Sequence, residues 1–109
     1  MGSKRVIDER VGNRPRLQEI FTDYQNSSAK IILHISENKY EMPIYSFSEV
    51  TVQAGKNSVK IFADGNLIII QYSALINRFR INTEEARFET DIFSNDLNLK
   101  HAYFVIRVQ

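Results

Sequence analysis

The most constraining feature of the sequence is a short turn between two β-rich runs near the middle of the chain. Val59–Ala63 and Asn66–Gln71 flank the dipeptide Asp64-Gly65. A two-residue Asp-Gly connection is typical of a type I′ β-hairpin, because both central residues of that turn need a positive φ. The run Leu67–Ile70 is apolar on both faces, which predicts a central strand that is covered on both sides.

A single helical pattern precedes the β-rich part of the chain. Between Arg14 and Gln25, apolar residues recur at the i, i+3, i+4 and i+7 spacing of one helix face, namely Leu17, Ile20, Phe21 and Tyr24. A helix of about three turns is too short to be stable alone. We therefore expect this face to dock on the β-structure and to cover one side of the central strand.

From Ala29 onward the apolar residues alternate, which predicts strands. The predicted runs are Ile31–Ser36, Tyr40–Ile44, Glu49–Gln53, Val59–Ala63, Asn66–Gln71, Arg87–Phe93 and Tyr103–Val108. Pro43 belongs at an edge or a bulge, and Phe88 and Ile92 are expected to point inward. Residues 73–79 fit a short helix and the start of a strand equally well.

These elements predict a mainly β (α+β) fold. We expect a small antiparallel β-barrel or split barrel of about 6–7 strands with one N-terminal helix packed on it. The chain has 109 residues, which is room for one small domain. Residues 1–13 are polar and are predicted to form a flexible arm, and residues 14–109 the single β-barrel-like domain.

The composition argues against catalysis and against a membrane span. The chain has no cysteine and two histidines, His34 and His101, neither with a partner spaced for a catalytic triad. We expect no catalytic residue, no metal site and no cofactor, hence no enzyme. No apolar run approaches the roughly 20 residues of a spanning helix, and the N-terminus lacks the apolar core of a signal peptide. A cytoplasmic protein without membrane insertion is predicted.

Basic residues supply the candidate binding sites. Arg10, Arg14 and Arg16 cluster where the arm meets the helix, and guanidinium groups there can hold phosphates. Arg78 and Arg80 form an alternative basic surface if they share a strand face. The net charge is only +1, so the chain as a whole has no electrostatic drive toward nucleic acid. An exposed aromatic or edge strand would instead indicate a protein-binding module.

The order of elements resembles a known family. Pro15–Tyr24 leads directly into Ala29–Ile35, and the chain ends with Arg87–Phe93 and His101–Val108. This order, over residues 15–108, resembles the N-terminal split-barrel domain that precedes the PilZ domain in flagellar-brake proteins. The resemblance implies a regulatory module that mediates protein contacts around a cyclic-di-GMP response.

The nucleotide site of PilZ domains has two motifs that can be compared with this sequence. Arg10 and Arg14 have the spacing of its RxxxR arm. The stretch around Ser36 resembles its D/N-x-S-x-x-G motif, but His34 stands where the acidic or amide residue belongs and Lys39 where the glycine belongs. The resemblance implies that Ser36 contributes to phosphate or nucleotide binding together with the arm.

Two alternatives remain open. The segments Met42–Ile44, Val50–Val52, Asn57–Asn66 and Ser73–Leu75 are similar to the first half of a LytTR domain, which implies a DNA-binding transcriptional regulator. The basic Phe-x-Arg-x-His-Arg-Ser segment of that family has no counterpart here, and DNA ranks second. The other alternative is a structural or assembly subunit of a phage or secretion apparatus that forms oligomers through edge strands. In the first interpretation the partner is another protein, together with a cyclic dinucleotide.

Overall fold

The computed structural model describes residues 7–8, 14–75, 79–82 and 84–109. Its elements, in chain order, are β1 (Ile7–Asp8), α1 (Arg14–Gln25), β2 (Ile31–Ser36), β3 (Tyr45–Phe47), β4 (Val50–Ala54), β5 (Ser58–Ala63), β6 (Asn66–Gln71), a 3₁₀ turn (Tyr72–Leu75), β7 (Phe79–Ile81), β8 (Glu85–Thr90), β9 (Phe93–Asn95) and β10 (Ala102–Val108). The fold is mainly β with one α-helix, as predicted. The described residues form ten strands rather than six or seven, because four of the strands are only two or three residues long.

The strands form two antiparallel sheets. The first has six strands in the order β1-β7-β8-β10-β2-β3, and the second has four in the order β4-β5-β6-β9. Between β8 and β10 the chain leaves the first sheet, adds β9 to the edge of the second, and returns. One hydrophobic cluster contains side chains from both sheets and from α1, so one face of each sheet packs on the same core.

The turn between β5 and β6 has the geometry that the Asp-Gly dipeptide predicts. Asp64 has a φ of 49° and Gly65 a φ of 87°, the positive values that a type I′ turn needs. Pairing with β5 and with β9 confirms β6 as a central strand. Its inner face is buried, but the prediction of cover on both sides is wrong, since Leu67 and Ile69 on the outer face are partly exposed.

The helix has the predicted bounds, and its predicted apolar face is buried. It packs chiefly against β4 rather than against β6. Its last turn explains this position, because Oε1 of Gln25 accepts a hydrogen bond from the backbone N of Ala54 in β4 at 2.8 Å. The hydroxyl of Tyr24 donates to the backbone O of Asn82 at 2.6 Å. The helix therefore lies beside β4, the edge strand of its sheet, and pairs one backbone N–H at the end of that strand.

The strand predicted around Tyr40 and Met42 is absent. These residues lie in the loop 37–44 between β2 and β3, and each is 85% exposed. Oδ1 of Asn38 accepts a hydrogen bond from the backbone N of Tyr40 at 2.9 Å, which draws the backbone into a turn. Pro43 has no N–H to offer to a ladder, so the alternation of apolar residues here does not produce a strand.

The prediction that Ile92 points inward is also wrong, since it is 66% exposed. The strand β8 ends at Thr90, whose Oγ1 accepts a hydrogen bond from the backbone N of Ile92 at 3.1 Å and turns the chain outward. The ambiguous segment 73–79 contains the end of the 3₁₀ turn and the first residue of β7. Residues 76–78 lie outside the described residues.

Candidate functional site

The residues predicted to bind phosphate or a nucleotide are described only in part. Arg10 and Arg78 lie outside the described residues. Arg14 and Arg16 lie in the first turn of α1. Of the predicted arm, residues 1–13, the structure describes β1, which pairs antiparallel with β7. Phosphate binding by Arg10 and Arg14, which have the RxxxR spacing, therefore stays a prediction.

Ser36 and Arg80 lie on the same side of the six-stranded sheet, away from the core. Cross-strand pairing on this side forms one row, which runs through Arg80, Arg87, Val105 and His34. Ser36 follows His34 by two residues in β2 and so points to the same side. Three strand spacings separate Ser36 from Arg80, about 14 Å. Arg80 is exposed, whereas Ser36 is only 5% exposed, so the two do not form one contact site.

Ion pairs occupy much of this side of the sheet. The carboxylate of Glu85 accepts hydrogen bonds from Nε of Arg87 at 2.6 Å and from Nε of Arg107 at 2.7 Å. The hydrogen bond from Arg87 is the main cause that lowers the pKa of Glu85, and the same bond raises the pKa of Arg87. Both cations are partly neutralised within the protein, which favours a solvated face over an anion site.

The sequence does not predict two histidine contacts that lie on this sheet. Nδ1 of His34 lies 2.9 Å from Oγ of Ser46, and Nε2 of His101 lies 2.5 Å from Oε2 of Glu89. Only the register of the β2–β3 hairpin brings His34 and Ser46 together, since 12 residues separate them.

The pair of His34 and Ser46 places an imidazole beside a hydroxyl. A catalytic triad has a third group that orients the imidazole, and among the described residues no hydrogen bond or ion pair joins a carboxylate to His34. Within the same residues, no group of three or more histidine or acidic side chains is placed to hold a metal ion.

Most of the large apolar side chains that are exposed among the described residues lie in the loop 37–44, which we call the exposed loop. Tyr40, Met42 and Ile44, the last 49% exposed, are three of the five large apolar residues that are exposed in the described part of the protein. Nζ of Lys39 lies 5.1 Å from the ring centroid of Tyr40, a cation–π contact. Three apolar side chains within five residues are a concentration typical of interaction sites.

The backbone of the exposed loop is held by hydrogen bonds at both ends. The carbonyl O of Asn38 accepts from the backbone N of Glu41 at 3.2 Å, and the side chain of Asn38 accepts from Tyr40. At the exit, the backbone N of Ile44 donates to the O of Ile35 in β2 at 2.8 Å. The loop is therefore an ordered structure that presents apolar side chains to solvent, and it is the strongest candidate site in the described residues.

Comparisons with protein-family models, with curated proteins and with solved structures find no match for this chain. The resemblances to PilZ flagellar-brake domains and to LytTR domains stay predictions. Among the described residues, no helix has the length and apolar character needed to cross a membrane.

Proposed function

We propose that the chain is a non-enzymatic protein-binding module and that the exposed loop is its contact surface. The observation that carries the proposal is the exposure of Tyr40 and Met42, each at 85%, on a loop whose backbone is fixed by hydrogen bonds. Burying one side chain of this size contributes roughly 1.5–3 kcal/mol. Aromatic residues and methionine are also enriched at protein interfaces.

The order of the loop supports this function, because association costs free energy whenever a flexible segment must become fixed. The hydrogen bonds that Asn38 accepts and the bond from Ile44 to β2 already hold the backbone. The cation–π contact further restricts the ring of Tyr40. A partner that accepts these side chains in an apolar pocket therefore meets a surface that needs little further ordering.

Side-chain insertion explains the loop better than strand addition does. The neighbouring strand β3 is an edge strand, but it is only three residues long. Pro43 lies just before it and lacks the N–H that a longer ladder would need. The binding mode we propose is therefore insertion of Tyr40 and Met42 into a partner, with the edge of β3 as a secondary contact.

The finer form of the proposal follows the resemblance to flagellar-brake proteins. In that form, the two antiparallel sheets around a shared core make a split barrel, and protein binding responds to cyclic-di-GMP held by Arg10 and Arg14. The opening helix directly before β2 and the long last strand β10 support it.

Site-specific photo-crosslinking tests the protein-binding function. A photoreactive phenylalanine derivative replaces Tyr40 in the full chain, and the matched control carries it at Lys100, another exposed position. In cells that naturally produce the chain, position 40 should give one discrete, saturable protein adduct and position 100 should not. Unlabelled wild-type chain should compete for the adduct. A Tyr40→Ser/Met42→Ser chain should compete at least about tenfold less well.

Two results of this experiment would refute the exposed loop as the contact surface. One is an equal set of adducts from positions 40 and 100. The other is equal competition by the wild-type and double-variant chains. The nucleotide form has its own test, titration calorimetry with cyclic-di-GMP. Binding heat that Arg10→Ala or Arg14→Ala abolishes supports it, and no heat at millimolar ligand ends it without affecting the crosslinking result.

A further inference from the structure

Met42 places a thioether side chain in solvent at the centre of the exposed loop. The residue is 85% exposed, and its chain neighbours Glu41 and Pro43 are exposed as well. Met42 therefore lies outside the hydrophobic core, and small molecules in solution reach its side chain without any opening of the fold.

The composition of the chain leaves Met42 with few competitors for an oxidant. The whole sequence has no cysteine, no tryptophan and two methionines, of which the other is Met1. Cysteine and methionine are the side chains whose sulfur two-electron oxidants such as peroxides attack. In the part of the chain that the structure describes, Met42 is therefore the side chain on which such an oxidant acts.

Oxidation by a peroxide converts a thioether into a sulfoxide. A lone pair on the sulfur attacks one oxygen of hydrogen peroxide, so that an S–O bond forms while the O–O bond breaks. The sulfur loses two electrons, the peroxide gains them, and the second oxygen leaves as water. A methionine sulfoxide reductase reverses the step, because its two thiols become a disulfide while the sulfoxide oxygen leaves as water.

The sulfoxide changes what the exposed loop offers to a partner. Under the proposed function, Tyr40 and Met42 insert into an apolar pocket. A sulfoxide oxygen accepts hydrogen bonds, and burying it without a donor costs free energy. The bonds that hold the loop backbone, which Asn38 accepts and Ile44 donates, do not involve the side chain of Met42. Oxidation should therefore lower the affinity for the partner and leave the fold unaltered.

We propose that Met42 is a site of reversible oxidation and that its sulfoxide releases the partner from the exposed loop. This inference rests on the proposed protein-binding function and adds a regulatory input to the same surface. The oxidant is a peroxide, and a methionine sulfoxide reductase restores binding. Because Met42 is exposed, its oxidation changes binding without the loss of stability that follows oxidation of a methionine in a core.

Mass spectrometry of the full chain after treatment with hydrogen peroxide tests the modification site. Met42 should gain one oxygen at about the rate at which free methionine in the same solution does, because its side chain is exposed. Peptide mapping scores Met1 separately, on a different peptide. The oxidised chain should unfold at the same temperature as the untreated chain. A Met42 that stays unmodified, or a melting temperature that falls as Met42 is oxidised, would overturn the proposal.

The crosslinking competition tests the effect of oxidation on binding. The wild-type chain is oxidised, freed of peroxide, and added as competitor to an extract that contains the partner and the chain with the photoreactive residue at position 40. It should compete at least about tenfold less well than the untreated chain. Treatment with a methionine sulfoxide reductase should restore its competition. Met42→Leu is the matched control, and its competition should be the same before and after peroxide.

The outcomes separate this proposal from the protein-binding function. Equal competition by the oxidised and untreated wild-type chains would refute the regulation and leave the binding function standing. A loss of competition that peroxide also causes in Met42→Leu would refute it too, because another residue would then be responsible. The absence of a discrete adduct from position 40 in the untreated extract would refute the binding function, and the regulation with it.

Discussion

The hairpin β5–β6 and the hairpin β2–β3 close their strands in opposite ways. In the first, two residues make the turn, and both hold a positive φ. In the second, the eight residues 37–44 connect the strands and leave large apolar side chains in solvent. The residues of the tight turn adopt the backbone conformation that joins the two strands directly. The apolar residues of the exposed loop lie in solvent and do not contribute to the core.

This difference separates residues that specify the fold from residues available for binding. The β4–β5 turn resembles the tight turn, because hydrogen bonds fix its backbone. The backbone N of Gly55 donates to the O of Ser58 at 2.8 Å, and the carbonyl O of Gly55 accepts from the hydroxyl of Tyr72 at 2.8 Å. Changes in the four-stranded sheet should therefore lower stability. Changes in the exposed loop should lower binding and leave stability unaltered.

The largest expected effect on stability occurs at alkaline pH and involves the two buried tyrosines Tyr24 and Tyr72, of which Tyr72 anchors the β4–β5 turn. Burial raises the pKa of Tyr72 from 10.0 to about 12. The unfolded chain therefore loses this proton first, so the contribution is complete below about pH 10 and is lost as the pH rises toward about 12. The loss amounts to about 3 kcal/mol at most.

Urea unfolding at a series of pH values measures this alkaline loss. Tyr72→Phe is the control, and in this variant the free energy of unfolding should fall less between about pH 10 and pH 12. The substitution should also cost about 1 kcal/mol at neutral pH, because the hydrogen bond to Gly55 is lost. Burial raises the pKa of Tyr24 further than that of Tyr72, so the larger part of the alkaline loss of stability should persist in this variant. If the variant lost as much unfolding free energy at alkaline pH as the wild type, Tyr72 would not contribute to that loss.

Gly55→Ala should be the next most damaging change. A Cβ at this position would lie 2.9 Å from the backbone O of Ser58, the atom that closes the turn. Relieving this contact requires the backbone to move, at a cost of about 2 kcal/mol in the free energy of unfolding. Chemical denaturation checks the value, and wild-type stability would show that the turn relaxes without cost.

Gly65→Ala should cost less, about 1 kcal/mol. A Cβ here has open space within 4 Å, so the whole penalty comes from the φ of 87°. Gly65→Asn is the matched control, because asparagine tolerates a positive φ better than alanine does. If both variants lose equal stability in thermal unfolding, the turn conformation is not the cause.

Tyr40→Ser and Met42→Ser should have the smallest effect on stability, within about 0.5 kcal/mol of wild type, because exposed side chains lose little when they are shortened. Differential scanning calorimetry of both variants checks this expectation. A clear drop in melting temperature would mean that the exposed loop supports the fold, and the contrast with the tight hairpins would fail.

Local patterns in the sequence predicted much of the fold correctly. The bounds of α1 follow from one apolar stripe, and the β5–β6 turn follows from a dipeptide with a defined conformational need. The site was less predictable. Alternation around Tyr40 and Met42 looked like a strand, because the pattern of a half-buried strand and that of an apolar binding loop are the same when read along the chain.

These local patterns do not predict contacts between residues that are far apart in the sequence. Arg107 bonds to Glu85 across 22 positions, and the segment at β9 leaves one sheet for the other before the chain returns. The pairing partner of a strand depends on packing and not on its own residues. The ion pairs on the outer side of the six-stranded sheet could therefore not be predicted, although each charged residue is present in the sequence.

The sequence by itself determined where the helix lies, where the Asp64-Gly65 turn bends the chain and which residues of most strands face inward, because these depend on neighbours a few positions away. Only the tertiary structure decided which sheet each strand joins and which apolar residues remain in solvent. Exposure is a property of what packs against a side chain, and in this protein most of those contacts come from residues far away in the chain.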